Sequence, residues 1–267
     1  MMKCSMSAAV ALICLTPVSA ADLKLTDTVP GHAGLTYEAL VRMAMPALAV
    51  EGGTARAGAQ VTLRTLGGDE SFLPADFAFD SVDALEISSD GKPYLLLLAP
   101  SEDGGFSALL AAYDMSGAPR LVDAVDGGMD RMLAFGDRVD LGGAVAFTLV
   151  GSHYNAGESY VSTDIGFVHA GRLTPIASQL AFGLQVCSYQ MEQTLSLTAA
   201  DDPPAPYRAV SVAVTQAVTP TGEACGEDSP LPPPANTATY TDVYRWDPAA
   251  GAYATATHER DALMGPE

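Results

Sequence analysis

Residues 151–158, with the sequence GSHYNAGE, bring together more chemically varied side chains than any other turn signal in this chain. Histidine titrates near neutral pH and can act as a base, while tyrosine and asparagine can bind a sugar or a peptide. The segment is therefore the predicted ligand-binding site, through Ser152, His153, Tyr154, Asn155 and Glu158. Three interpretations stay open: ligand contact, catalysis, or a plain turn in which Asn and Gly supply positive φ.

Ser152 and His153 are not predicted to form a nucleophile–base pair. Adjacent side chains of a strand point to opposite faces, so the hydroxyl and the imidazole would be separated. The chain also lacks the G-x-S-x-G elbow, the H-E-x-x-H zinc motif and the Walker phosphate loop. We predict no catalytic residue and expect that the protein is not an enzyme.

No metal site is predicted either. The four histidines are spread over the chain without the spacing typical of zinc ligands. Asp123, Asp126 and Asp130 cluster in the sequence DAVDGGMDR, and calcium prefers several oxygen ligands on a flexible loop. Their spacing differs from that of the standard calcium loop, so a solvated turn is the simpler interpretation. We therefore expect no metal and no cofactor.

Residues 1–20 are predicted to be a signal peptide. Lys3 gives a positive start, residues 8–15 form an apolar segment, and residues 18–20 (VSA) are a small-residue cleavage site. The apolar segment is shorter than the about 20 residues that span a bilayer, so no membrane insertion is expected. The Ala-rich, Lys-poor usage resembles that of a high-GC bacterium. We expect a soluble mature chain, cleaved near Ala20, in a periplasm or outside the cell.

The mature chain is predicted to contain one disulfide. Only Cys187 and Cys225 follow the leader, and catalytic or metal-binding pairs are more often closely spaced, as in C-x-x-C. In an oxidising compartment a single pair is most simply joined. The closed loop of 39 residues corresponds to roughly 4 kcal/mol of stabilisation in the chain-entropy model.

The charge of the chain argues against several classes of partner. The formal net charge is −19, and removal of residues 1–20 takes away Lys3 and no acidic residue, which leaves −20. Such a charge argues against nucleic acid and against an anionic membrane surface. Solubility outside the cytoplasm is the simpler explanation of the charge, and an acidic face for a basic protein partner is the alternative.

Residues 82–126 show most clearly the pattern of strands and turns that the sequence predicts. Four apolar runs are separated by three turn signals, of which the first is the hairpin sequence SDGK at 89–92. Residues 84–88 alternate as a half-buried strand does, while residues 94–99 are apolar on both faces, as in a central strand. A buried helix is the alternative for residues 95–98 and for residues 108–112, but the short spacing and the bounding Gly and Pro favour strands.

The same plan recurs at about residues 138–177 and 187–257. The last hairpin of each copy has an aromatic residue, a glycine turn and an alternating strand, around Gly117, Gly171 and Gly251. Repeated four-stranded antiparallel meanders predict either a propeller-like fold or a sandwich in which the meanders stack.

The sequence SDGKP at 89–93 resembles the Asp-Gly-Lys-Pro segment of bacterial propeller repeats related to integrin repeats. Those repeats carry a calcium-binding D-x-D-x-D-G run before this segment. Here Leu85, Ile87 and Ser88 occupy the neighbourhood, so the calcium function does not carry over.

The predicted organisation is all-β with one short N-terminal helix. After the signal peptide come an N-terminal lead at 21–80 and a meander repeat domain at 81–267. Residues 35–48 hold the predicted helix of about 8–10 residues, residues 60–65 a strand, and the rest of the lead is predicted to be irregular. Trp246, the only tryptophan, is predicted to pack in the core or a hairpin, with an exposed binding anchor as the alternative.

These observations predict a soluble, exported, non-catalytic β-rich protein that acts as a macromolecular binding or interaction module. The sequence does not identify its protein partner, and a basic protein is one candidate because of the negative charge. A small-molecule or carbohydrate-binding domain that uses the 151–158 turn is the alternative. A second alternative is an unrecognised periplasmic hydrolase whose catalytic residues only the fold brings together.

Overall fold

One helix and eighteen strands make up the part of the chain that the computed structural model describes. That part comprises residues 23–102, 105, 107–128, 133–155, 157–200, 206–221, 234–255, 257 and 259, without the side chain of Asn155. In chain order the elements are β1 (Leu23–Lys24), α1 (Tyr37–Ala44), β2 (Ala49–Glu51), β3 (Thr54–Arg56), β4 (Val61–Arg64), β5 (Glu70–Leu73), β6 (Ala78–Phe79), β7 (Ser81–Ser89), β8 (Lys92–Pro100), β9 (Ala108–Asp114), β10 (Arg120–Asp126), β11 (Ala134–Asp140), β12 (Val145–Asn155), β13 (Glu158–His169), β14 (Arg172–Gln185), β15 (Tyr189–Ala200), β16 (Ala209–Pro220), β17 (Asn236–Asp247) and β18 (Ala252–Thr255).

The strands form two large and two small antiparallel sheets. The five-stranded sheet has the order β1-β7-β8-β9-β10, and the eight-stranded sheet runs from β11 to β18 in sequence order. β2, β3 and β6 form a three-stranded sheet, while β4 pairs with β5. The protein is therefore mostly β, as the sequence predicts.

β7 to β10 confirm the four-stranded meander predicted for residues 82–126. The β7–β8 turn places Asp90 at φ 51° and Gly91 at φ 73°, the left-handed conformation that a two-residue hairpin turn requires. Ser89 pairs with Lys92 across the turn. Because Asp and Gly both tolerate this conformation, the sequence SDGK fixes the register of the hairpin.

β8 and β9 are apolar on both faces because each face packs against a different layer. On one side, Leu97 and Tyr113 pack against Leu40 of α1, and the Tyr113 hydroxyl donates to the Leu40 carbonyl at 2.8 Å. On the other side, Leu96 packs in one cluster with Phe147 of β12. The helix alternative for these two runs is therefore wrong, since burial from two sides explains their continuous apolar sequence.

α1 forms within the predicted range 35–48. The Thr36 hydroxyl caps its N-terminus by accepting a hydrogen bond from the Ala39 backbone N–H at 3.3 Å. The helix ends two residues before Pro46, which cannot continue it. In the described part of the chain no helix has the length and apolarity that crossing a membrane requires.

The N-terminal lead contains more strand than the sequence predicts. β4 confirms the strand predicted at 60–65, whereas β1, β2, β3, β5 and β6 are absent from the prediction. Each of these has only two to four residues, too few for an alternating pattern to stand out. β1 is held by pairing, with Leu23 opposite Val82 at the edge of the five-stranded sheet.

The second and third predicted meanders share one continuous sheet. β14 extends to Gln185, past the end predicted at 177, and its last three residues pair with Gln190 to Glu192 of β15. Beyond these three pairs the two strands diverge, and the halves β11–β14 and β15–β18 pack against each other through one apolar cluster. Near residue 187, where the sequence predicts a boundary, these three residue pairs therefore keep the two halves in one sheet.

The turn predicted within 151–157 is present but shorter than that segment. Residues 151–155 belong to β12, and the chain reverses between Asn155 and Glu158, which pair with each other. Gly157 supplies the positive φ, 101°, while Gly151 stays extended. Pairing with β13 overrides the local turn preference of glycine, serine and asparagine in this segment.

Arg64, Asp123 and Leu173 connect three sheets. The Arg64 guanidinium of β4 binds the Asp123 carboxylate of β10 and donates to the Leu173 carbonyl of β14 at 2.9 Å. The Leu173 backbone N–H donates to the same carboxylate oxygen at 2.8 Å. The two charged side chains are only 17% and 18% exposed, so water screens their attraction less than at the surface.

Asp123→Asn is expected to lower the free energy of unfolding by about 1–3 kcal/mol, because it weakens charge-assisted hydrogen bonds in a half-buried position. Urea unfolding followed by circular dichroism measures the change. Glu38→Gln is the matched control, since it removes a charge from the more exposed Glu38–Arg42 pair of α1 and should change stability by less than about 0.5 kcal/mol. Equal losses in the two variants would contradict the connecting role of Asp123.

Cys187 lies at the bend between β14 and β15, and Cys225 lies outside the described residues. The Thr221 hydroxyl donates a hydrogen bond to the Cys187 carbonyl. The Thr221 backbone N–H donates to the Ser188 carbonyl at 3.0 Å. Four residues, the separation of Thr221 from Cys225, span at most about 14 Å of chain. The disulfide stays a prediction, and the position of Thr221 is compatible with it.

Protein from its native compartment is expected to carry no free thiol at Cys187 or Cys225, which alkylation and mass spectrometry without reductant would measure. Replacing both cysteines by serine should lower the free energy of unfolding by up to about 4 kcal/mol, because the crosslink restricts the unfolded chain. A reduced sample serves as the control for complete alkylation. Two alkylated thiols in the unreduced sample would overturn the pairing.

Candidate functional site

The five residues predicted to bind a ligand lie around the β12–β13 turn. Ser152, His153 and Tyr154 belong to the end of β12, and Glu158 begins β13. The side chain of Asn155 is outside the described part of the structure. These residues are neighbours in space, but the strand divides their side chains between two faces.

His153 is brought next to Tyr160 and not next to Ser152. His153 and Tyr160 are paired across β12 and β13, and their rings stack with centroids 5.1 Å apart at 12°. Ser152 and Tyr154 share the opposite face, and Tyr154 is 77% exposed. The arrangement places aromatic rings at this end of the hairpin, while the serine and the imidazole stay apart.

The β12–β13 turn and the β14–β15 bend together form one end of the eight-stranded sheet, here called the distal end. The Gln185 backbone N–H donates to the Gly157 carbonyl at 2.7 Å, which places the two connections side by side. Tyr160 pairs with Phe182, and Leu184 pairs with Met191, so half-buried apolar side chains lie on neighbouring strands there. Leu180 is 42% exposed.

At the opposite end of this sheet, here called the proximal end, hairpin turns of both large sheets meet. Ser89 forms a bridge with Ala144, and the Asp90 backbone N–H donates to the Gly143 carbonyl at 2.9 Å. The Ser89 hydroxyl also donates to the Val168 carbonyl. The ten residue steps of β12 separate the two ends by about 33 Å.

A chain of hydrogen bonds joins the two sheets at the proximal end. The Tyr207 hydroxyl donates to Asp90 Oδ1 at 2.8 Å and lies 2.9 Å from His169 Nδ1. Since the hydroxyl has one hydrogen and gives it to Asp90, His169 Nδ1 is the donor to the phenolic oxygen. Burial raises the pKa of Tyr207, and the hydrogen bond to Asp90 raises it further, so the phenol stays neutral.

The aromatic rings around Tyr207 form the core between the two halves of the eight-stranded sheet. Trp246 is only 7% exposed and meets Phe167, His169, Tyr207 and Tyr253 edge-on, at centroid distances of 4.8–5.7 Å. Such edge-to-face contacts stabilise beyond their buried area. The burial of Trp246 supports core packing rather than an exposed binding anchor.

Two hollows adjoin at Tyr94 on the proximal side. The smaller, of about 350 Å³, is lined by polar side chains that include Asp90, Lys92 and Arg120. The larger, of about 690 Å³, has an apolar floor that includes Ile87, with a few charged groups at its edge. Both volumes lie in the range of ligand pockets in proteins.

The aspartate cluster considered as a calcium loop is used by the protein itself. Asp123 binds Arg64, and Asp126 accepts hydrogen bonds from the Ser71 hydroxyl at 2.7 Å and the Gly128 backbone N–H at 3.0 Å. Asp130 lies outside the described residues. Within the described residues no group of acidic, histidine or cysteine side chains is arranged to hold a metal ion.

Sequence reasoning missed the proximal end altogether. Tyr207 and Asp90 are 117 positions apart, so no local pattern connects them. The only signal was the Asp-Gly turn, whose aspartate is free to bond outward once the hairpin has formed. No protein-family model, no curated protein and no solved structure matches this chain.

Tyr207→Phe is expected to lower the free energy of unfolding by about 1–3 kcal/mol, because the ring stays packed while Asp90 and His169 lose their common partner. In the native protein the raised pKa of Tyr207 favours the neutral phenol in the folded state. The stability that Tyr207 contributes to the folded state is fully present below the ordinary tyrosine pKa of about 10, and it declines as the pH rises above that value. In Tyr207→Phe the free energy of unfolding should therefore fall less steeply above pH 10 than in the native protein.

Urea unfolding between pH 7 and 11 measures both effects. Tyr240→Phe is the control, since the Tyr240 side chain is half-buried and its hydroxyl bonds to no described residue. The two variants would have equal stability and equal pH profiles if the Tyr207 hydroxyl did not connect the sheets.

Proposed function

We propose that this chain is an exported, non-catalytic β-rich protein that binds a basic macromolecular partner through its distal end. The observation that carries the proposal is the distribution of cations. Between residues 139 and 244 the only Lys or Arg residues are Arg172 and Arg208. Arg172 follows the proximal turn Ala170-Gly171, and Arg208 donates to Asp140 at the proximal end, so no Lys or Arg among the described residues lies at the distal end.

Acidic and aromatic groups favour a basic partner at this end. Glu158 and Glu192 are exposed there, and no positive charge on these strands opposes them. Like charges across an interface suppress wrong partners, while opposite charges steer association. Tyr154, Tyr160 and Leu180 add partly exposed aromatic and apolar surface of the kind that anchors interfaces.

The absence of catalysis is supported by the separation of Ser152 from His153 on opposite faces of β12. Export is supported by the leader sequence at 1–20 and by the predicted disulfide. For the arrangement of the meanders we propose stacking, as in a sandwich. It is supported by the apolar clusters that β8 shares with β12 and that Phe167 shares with Trp246.

A second candidate function is carbohydrate binding at the same turn. The stacked pair His153–Tyr160 and the exposed Tyr154 offer ring surface on which a sugar can pack. Binding of this kind would depend little on salt, whereas binding of a basic protein weakens as ionic strength rises.

The test uses the mature chain as bait in an extract of its own cell envelope, followed by binding measurements with the purified partner. We expect a partner of basic pI whose dissociation constant rises about tenfold or more in Glu158→Lys/Glu192→Lys, because both changes place like charge in the interface. The dissociation constant should also rise steeply with sodium chloride.

Glu51→Lys/Asp80→Lys is the matched control. It changes the net charge equally, at exposed positions on β2 and between β6 and β7. Loss of binding to the same extent in both double variants would assign the effect to net charge alone and reject the distal interface. A partner whose binding is insensitive to salt would favour the carbohydrate-like mode instead.

A further inference from the structure

The ring of Tyr94 is buried, but its hydroxyl opens into two hollows. The residue is only 5% exposed, yet its hydroxyl makes no hydrogen bond with any described residue. By contrast, Tyr113, Tyr207 and Tyr253 each donate to a protein acceptor at 2.8 Å. Because the Tyr94 hydroxyl opens into the hollows instead, it is available to bond a molecule that enters them.

Tyr94 lies in a row of side chains that continues with two charged residues. Across the five-stranded sheet, Tyr94 pairs with Asp114, and Asp114 pairs with Arg120. Lys92 is two residues before Tyr94 on β8 and therefore on the same face. The smaller hollow, about 350 Å³, is thus lined by the phenol, two acids and two bases.

Several of these groups keep hydrogen-bonding capacity. Asp90 Oδ1 is occupied by Tyr207, but Oδ2 has no donor among the described residues. Arg120 makes one long contact with Asp114, at 3.3 Å, and its side chain is 68% exposed. The hollow therefore offers an acceptor from Asp90, donors from Lys92 and Arg120, and a phenol that both donates and accepts.

The environment keeps this phenol neutral. Burial raises the pKa of Tyr94, and the nearby carboxylates of Asp114 and Asp90 raise it further, while Arg120 lowers it in part. At physiological pH the hydroxyl is therefore available as a donor. The hydrogen bond from Tyr207 orients the carboxylate of Asp90, which also lines the smaller hollow.

We propose that the hollow bounded by Asp90, Lys92, Tyr94 and Arg120 binds a small, uncharged polyhydroxylated molecule of one or two sugar rings. Acids and bases are equal in number there, so a lone anion or cation would meet a like charge as well as an opposite one. A hydroxyl group donates to a carboxylate and accepts from a cation at once, which suits this lining. The volume is at the lower end of the range for ligand pockets, and the adjoining larger hollow leaves room for a second ring.

This site is independent of the distal interface. The two lie at opposite ends of β12, about 33 Å apart. Failure of one proposal leaves the other standing, since no residue belongs to both.

The test is a titration of the ¹⁵N-labelled mature chain, followed by amide chemical shifts. The probes are glucose, mannose, galactose, N-acetylglucosamine and maltose, with sodium acetate and glycine as charged comparisons. At least one sugar is expected to cause saturable shifts at the amides of Gly91, Lys92 and Gly171. Tyr94→Phe keeps the packed ring and should raise the dissociation constant roughly 2- to 10-fold, because one hydrogen bond is lost.

Tyr154→Phe is the control, because it removes a hydroxyl from an exposed tyrosine at the distal end and should leave the titration unchanged. The proposal is overturned if no sugar in the panel gives saturable shifts at these amides. It is equally overturned if only acetate or glycine does so, or if Tyr94→Phe binds the sugar as tightly as the native chain.

Discussion

Burial of β8 and β9 from both sides is the constraint on which the rest of the structure depends. Two neighbouring strands without a polar face are stable only when a layer covers each side. α1 covers one side through Leu40, and β12 covers the other through Phe147. Arg64 and Asp123 join the layers around this core, so the short N-terminal strands and the eight-stranded sheet are held to the same central sheet.

Local features of this fold could be predicted from the sequence, and features that depend on distant partners could not. The SDGK turn, the strands of the first meander and α1 each carry their own signal within a few residues. The continuation of β14 into β15 carries none, because it is decided by pairing with β13. For the same reason the sequence predicts too early a start for the β12–β13 turn, since pairing with β13 keeps residues 151–155 in a strand. At the candidate sites, the His153–Tyr160 stack follows from a hairpin register, whereas the Asp90–Tyr207 bond requires the tertiary fold.

The two ends of the eight-stranded sheet differ in chemistry because its arginines are placed at one end only. Arg172 and Arg208 sit where turns meet the five-stranded sheet, and there they neighbour acids such as Asp140. The far end keeps exposed glutamates and partly exposed rings, and none of its described residues is Lys or Arg. One sheet thus presents a charge-balanced polar surface near the core and a surface of negative charge with apolar patches away from it.

The meeting of hairpin turns at one end also restricts where the chain can change in length. An extra residue in the Asp90-Gly91 turn would shift the aspartate away from Tyr207, and one in the Ala170-Gly171 turn would displace His169. Insertions in these two turns are therefore penalised, so a tag or a fused domain belongs away from the proximal end.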